Sequence, residues 1–153
     1  MSTHPPLQIG QHTARHPILQ GAMAVRVSGA SLAGAVANQG GIGLISSFGI
    51  GLSPTYFGQE HKKRPFSEAN QLALIDELHK ARQISPQGII GVNILVATKD
   101  YLELAHTAAA HGANLIVTAA GLPLQLPEYV QNYPEVALVP IVALERDCLI
   151  SKY

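Results

Sequence analysis

Four groups of small or polar residues stand just past apolar runs in this sequence: Gln20-Gly21-Ala22-Met23-Ala24, Ser46-Ser47, Asn93, and the stretch from Thr118 through Ala120 and Gly121 to Pro123. Residues 21–24 would present backbone N–H and C=O groups with no bulk in front of them. Such a surface suits a planar heteroaromatic ring whose edge alternates donors and acceptors. Met23 adds a polarizable thioether that can lie on a ring, or equally pack into a core. Asn93 is the only strongly polar side chain within IIGVNILV. An unpaired amide there would cost a few kcal/mol, so it needs a partner. A ligand and a backbone group of a neighbouring strand are the two candidates. In TAAGLP, Gly121 supplies a turn and Pro123 stops strand pairing.

The elements that position these groups follow from periodicity. Residues 17–21 read as a first strand. Ser28 then caps a helix whose Leu32, Ala33, Val36 and Ala37 share a face, and Gly40-Gly41 ends it. GIGLISS is a second strand. Residues 49–66 form an extended excursion, longer than a usual connection. Ser67 caps a helix with Leu74, Ile75 and Leu78 as its stripe, and QISPQG breaks it. IIGVNILV is a third strand. Thr98 caps a helix carrying Tyr101, Leu102, Ala105 and Ala109, which Gly112 closes. NLIVTAAG is a fourth strand, LPLQLPEYVQNYP holds one helical turn, VALVPIV is a fifth strand, and ALERDCLISKY begins a further helix. Near-continuous apolar strands alternating with helices imply a parallel sheet covered by helices. An open doubly wound sheet and a (β/α)8 barrel both fit. In either, the carboxyl ends of the strands face the ligand. All four polar groups lie at that end, which describes a pocket floor. The plainer alternative is that small residues there only permit turns.

Composition excludes several classes. The 153 residues suit one domain, and 47% apolar content excludes a disordered chain. Ten basic and ten acidic residues give no net charge, so there is no electrostatic footprint for nucleic acid. The cluster His61-Lys62-Lys63-Arg64 reads as a solvated loop. Cys148 is the single cysteine, which allows no internal disulfide and fits a reducing compartment. The N-terminus lacks the basic and apolar regions of a signal peptide. No apolar run reaches the ~18 residues of a membrane span. A cytoplasmic protein is expected. No dinucleotide or P-loop glycine motif, HExxH or paired cysteine ligands occur, so no metal site is expected. There is no GxSxG elbow either. His79, His106 and His111 fall on helices as surface or packing residues.

Three stretches, HPILQGAMAVRVSGASLAGAVANQGGIGLISS, GVNILV and LIVTAAGLPLQLPEYV, together resemble the nitronate monooxygenase family, once called 2-nitropropane dioxygenases. They look equally like the related FMN-dependent enoyl-acyl-carrier-protein reductases. The resemblance runs from about residue 16 to about residue 142 and covers the first half or so of the family's barrel. It implies an α/β fold: the N-terminal portion, about five βα units, of an FMN-binding TIM (β/α)8 barrel, as a single domain over 1–153. It also implies that Gly21, Ala22, Met23 and Ala24 pass along the isoalloxazine ring. Asn93 would bond to the flavin's polar edge, with Ala120 and Gly121 nearby. Gln20, Ser46 and Thr118 join them as strand-end candidates. The expected activity is oxidation of a small-molecule nitronate with O2, the alternatives being the enoyl reductase and a non-catalytic module. Two departures stand out. Related nitronate monooxygenases carry a proton-abstracting His two residues before Gly-Leu-Pro, where this chain has Ala119. The phosphate site of TIM barrels commonly lies on the loops after strands seven and eight, which this stretch does not contain. A part-barrel leaves sheet edges unpaired, and a homo-oligomer is one way to cover them.

Overall fold

Gly43 sits in a strand whose neighbouring helix comes too close for any side chain, and that approach organises the fold. The structure, a computed structural model, describes residues 4–58 and 64–143. Two short strands, β1 (Leu7–Ile9) and β2 (His12–Ala14), form an antiparallel hairpin. Helix α1 (Ala30–Asn38), strand β3 (Ile42–Ser46), the single turn α2 (Pro54–Phe57) and the long helix α3 (Phe66–Ile84) follow. Then come β4 (Ile89–Leu95), α4 (Tyr101–Ala110), β5 (Leu115–Ala119), the turn α5 (Leu126–Tyr129) and β6 (Ala137–Pro140). Strands β3 to β6 pair in sequence order, all parallel.

Alternation along these strands divides the core in two. Ile45, Ile90, Val92, Ile94 and Ile116 face the helices and pack on the alanine- and leucine-rich faces of α1, α3 and α4. Ile42, Leu44, Leu115 and Val117 face the other way, where Leu7, Ile9 and Ala14 of the hairpin cover them. Each such buried aliphatic side chain contributes about 1.5–3 kcal/mol relative to exposure. A Cβ on Gly43 would overlap the carbonyl of Ala33, with Ala33 Cα at 2.8 Å. The small residues of α1 therefore let its backbone press onto β3.

At the amino ends of the strands, Arg82 fastens α3 to the sheet. Its guanidinium donates to Gly88 O (2.8 Å), Gly112 O (3.1 Å) and Asn114 Oδ1 (2.9 Å). Asn114 Oδ1 also accepts from Ile90 N at 2.9 Å. Nearby, His79 of α3 meets His111 at the end of α4, ring centroids 5.5 Å apart. Burial, and then the neighbouring His79, hold His111 below its ordinary 6.5.

Several expectations are corrected. The first strand reduces to one parallel bridge, Leu19 to Ile42, because Gln20 turns the chain away. The hairpin was not anticipated. Its signal is one short alternation and Gly10, which adopts φ 56° in the turn. None of the three expected caps forms: α1 starts after Gly29, α3 after Pro65 and α4 after Asp100, each without a side-chain cap bond. Instead Glu77 of α3 reaches across and its Oε2 accepts from Ala30 N at 2.6 Å. Thr98 Oγ1 donates back to Leu95 O at 2.8 Å. The excursion contains α2, and α3 runs through Gln83 and Ile84 before breaking. Arg64 pairs with Glu68 at 3.4 Å; His61, Lys62, Lys63, Cys148 and all but the first residue of the helix expected over 143–153 lie outside the described residues. Among the described residues no helix is long and apolar enough to cross a membrane, and no group of three metal-binding side chains forms.

Two outcomes follow from this packing. Gly43→Ala should destabilise the fold by about 3 kcal/mol, read as a lower urea midpoint at unchanged slope. The lowered His111 pKa means the unfolded chain takes up its proton first as pH falls below 6.5. Stability should therefore be complete above that pH and drop beneath it, and His111→Gln should flatten that part of the pH profile in thermal melts.

Candidate functional site at the carboxyl rim of the sheet

The carboxyl ends of the strands carry the unusual backbone of this molecule. Val25, Arg26 and Ala120 are the non-glycine residues with positive φ among the described residues, at 51°, 68° and 56°. All three stand in loops at this rim. A β-branched residue such as Val25 rarely adopts that conformation, and each such residue costs on the order of 1–3 kcal/mol. Strain of this kind persists where surrounding contacts enforce it, and it concentrates at binding sites.

The enforcing contacts start at Gln20. Its backbone N–H donates to Ile42 O at 3.0 Å, continuing the parallel ladder. The next ladder bond is made by its side chain, because Leu44 N donates to Gln20 Oε1 at 3.0 Å. A side-chain amide thus occupies the place of a strand carbonyl. Freed from the sheet, residues 21–27 loop over the rim and return at Ser28, whose carbonyl accepts from Ser46 N at 3.0 Å. Midway, Val25 N donates to Phe48 O at 3.0 Å.

The register then gathers the polar candidates. Ser46 pairs with Asn93, and Asn93 with Val117. These side chains form one layer on the inner face, directly above the Leu44, Gly91 and Leu115 layer. Asn93 is half-buried, and its amide makes a single long bond, Nδ2 to Val117 O at 3.4 Å. That is the backbone partner considered from sequence, and it leaves the amide oxygen without a protein donor among the described residues. Around this pair the loops are small. Gly21 is exposed, and a Cβ added to it would meet nothing within 4 Å. Ala22 tucks against the inner layer, Ala24 is half-buried, and Met23 is 64% exposed. Ala120 and Gly121 are exposed, after Ala119 O accepts from Val96 N at 2.9 Å.

Gln20, Gly21, Ala22, Met23, Ala24, Ser46, Asn93, Ala120 and Gly121 therefore gather at one rim. Thr118 separates from them. It follows Ile116 on the helix-facing side, is 1% exposed, and its hydroxyl is buried without a partner. Sequence reasoning did not assign Ser28, the left-handed residues Val25 and Arg26, or Phe48 to the rim. Ser28 was visible as a cap residue, but nothing in the sequence marks Val25 for positive φ.

Beside Ser28 a cavity of about 40 Å3 is lined by Arg26, Gly29, Ile50, Tyr56, Ala73 and Glu77. Tyr56 donates to Asp76 Oδ2 at 2.7 Å. Burial, helped by this bond and the carboxylates of Asp76 and Glu77, pushes its hydroxyl up to about 12. Tyr56 is therefore a fixed donor at neutral pH.

The nitronate monooxygenase family pattern matches residues 6–147. This chain belongs to the nitronate monooxygenase family. That family is one of flavin-dependent oxidoreductases. In fold, the chain is similar to FabK from Thermotoga maritima, with a TM-score of 0.68 and 23% identity over 90% of this chain and 37% of that one. A single-residue variant of that FabK gives 0.67 and 23%, over 90% of this chain and 39% of the other. The chain thus spans well under half the length of the FabK chain it matches, and its α/β architecture is that of a partial TIM barrel. A search of the curated proteins finds no match.

A flavin ring fits what this family member offers: an open small-residue shelf at Gly21, an exposed Met23, and an Asn93 amide with bonding capacity to spare. At the start of α1 the first N–H is already taken by Glu77, so that helix terminus is not free for the phosphate. Replacing the stranded Thr118 hydroxyl by a methyl should cost nothing. Thr118→Val is expected to leave the stability unchanged or raise it by up to about 1 kcal/mol, checked by urea titration.

Proposed function

We propose that this chain carries the ring-binding shelf of an FMN-dependent oxidoreductase of the nitronate monooxygenase type, which oxidises nitronates or nitroalkanes with O2. The observation that carries the reading is the small-residue rim at Gly21–Ala24, continued by the strained Val25 and Arg26, beside the Ser46 and Asn93 pair. FMN, when bound, supplies two-electron redox chemistry between a carbon substrate and an acceptor. The chain's own residues hold and orient it. The backbone of residues 21–24 supports the ring, and Asn93 and Ser46 meet its polar edge. The Leu44 and Leu115 side chains close the space beneath against water, with Val117 beside Asn93. Met23 lies where it can contact the ring face.

Proton removal needs a group that the described rim does not supply. Ala119 ends β5 with a methyl group, where the family resemblance places a histidine in nitronate monooxygenases. That substitution favours a second reading within the same family, an FMN enoyl-acyl-carrier-protein reductase that takes hydride from NAD(P)H. The partner in both readings is a small-molecule substrate.

The test is to titrate the purified protein with FMN and follow flavin fluorescence. O2 uptake with a nitronate is then measured beside NAD(P)H oxidation with an enoyl thioester. Saturable quenching with nitronate-dependent O2 uptake is the expected result. NAD(P)H oxidation alone would select the reductase, and failure to bind FMN would leave a non-catalytic module.

A further inference from the structure

We infer that Ser28 is the positioning residue of the shelf, the group whose hydroxyl holds residues 21–27 in the strained form that a flavin ring would meet. The inference rests on the flavin reading above and assigns a role to a residue that makes no contact with the ring itself.

The hydroxyl of Ser28 is used to capacity. It accepts from Met23 N at 2.8 Å and from Gln20 Nε2 at 3.2 Å, and donates to Gly21 O at 3.4 Å. A serine hydroxyl has two acceptor sites and one proton, so all three are engaged. The backbone of Ser28 closes the same loop, donating from N to Met23 O at 3.0 Å and accepting at O from Ser46 N at 3.0 Å. The residue is 1% exposed, so these bonds are screened from water and an unmet donor there is costly. Met23 is thereby held at both its N–H and its C=O.

What this lock opposes is on the page. Val25 and Arg26 between its two ends adopt φ of 51° and 68°, and neither is a residue that chooses that conformation unaided. Val25, Val27 and Met23 are 55%, 64% and 64% exposed, so side-chain burial does not fix the loop. Hydrogen bonds must: Ser28 makes three, and Gln20 Nε2 to Gly21 O, Val25 N to Phe48 O and Val27 N to Ala24 O make the others. Gln20 works on the same loop: its Oε1 replaces the strand carbonyl, and its Nε2 donates to Gly21 O at 2.5 Å and to Ser28 Oγ at 3.2 Å. The side chain of Gln20 is thus committed to the protein, and its contribution to a ligand is to steer the backbone of Gly21.

The experiment uses the purified protein with and without FMN. Ser28→Ala removes the hydroxyl, and Ser28→Thr keeps it, with the cavity of about 40 Å3 beside Ser28 available to the extra methyl. Without FMN, hydrogen exchange at the Met23 amide should quicken about tenfold or more in Ser28→Ala, while amides of β4 and β5 keep their protection. FMN affinity should weaken about tenfold, with a shifted visible band of the bound flavin at saturation. Ser28→Thr should restore all three readouts. Unchanged Met23 exchange in Ser28→Ala would overturn the lock. Faster exchange with FMN affinity and spectrum unaltered would overturn its role in positioning. Wild-type protein that binds no FMN would overturn the flavin reading, a result separable from the exchange measurement. If Ser28→Thr does not fold, Gln20→Glu, which keeps an acceptor for Leu44 N and removes only the Nε2 donor to Ser28 and Gly21, should quicken Met23 exchange and weaken FMN affinity in the same direction as Ser28→Ala; wild-type exchange and affinity in it would count against the inference.

Discussion

A side-chain amide standing in for a strand carbonyl sets the shape of this molecule's working end. Gln20 Oε1 takes the N–H of Leu44 that the first strand would otherwise satisfy. The sheet loses nothing in hydrogen bonds, yet the main chain is released one residue early. Buried ladder donors must be satisfied, so the substitution works only with a residue long enough to reach and polar enough to accept. The small residues that follow then cross the rim, where a continued strand would have placed their side chains alternately in and out.

The same logic separates what sequence reading captures from what it misses. Long apolar runs have one physical outcome in a helix-covered sheet, so β3 through β6 are legible. The alanine faces of α1 and α4 are legible too, because a period of 3.6 with small residues has few other uses. Caps are different. Ser28, Ser67 and Thr98 each have the right chemistry for a helix start. Ser28 instead spends its hydroxyl on a loop five residues back, and Glu77, distant in sequence, serves the helix. Local sequence cannot show a donor filled from 47 residues away. The rim itself was legible as a cluster, through Gly21, Ala22, Asn93 and Gly121. The direction of each side chain was not, because it depends on register. Thr118 shows this: one step along β5 turns it from the inner layer to the helices.

The two ends of the sheet divide labour accordingly. At the amino ends, Arg82 and Asn114 bind carbonyls and N–H groups of three segments, and left-handed backbone is confined to glycines. At the carboxyl ends, loops run through left-handed residues with exposed apolar side chains. Stability resides at one end and conformational strain at the other, as expected where a barrel keeps its chemistry in the loops after its strands. Membership of the nitronate monooxygenase family gives that asymmetry a purpose.

The hairpin ahead of the first strand has its own consequence. Leu7, Ile9 and Ala14 cork the inner face from the amino side, and His12 Nε2 donates to Glu135 O at 2.8 Å to pin the cork against the approach to β6. The inner face is thereby closed by hydrocarbon on its amino side, and its polar layer of Ser46 and Asn93 lies toward the carboxyl rim.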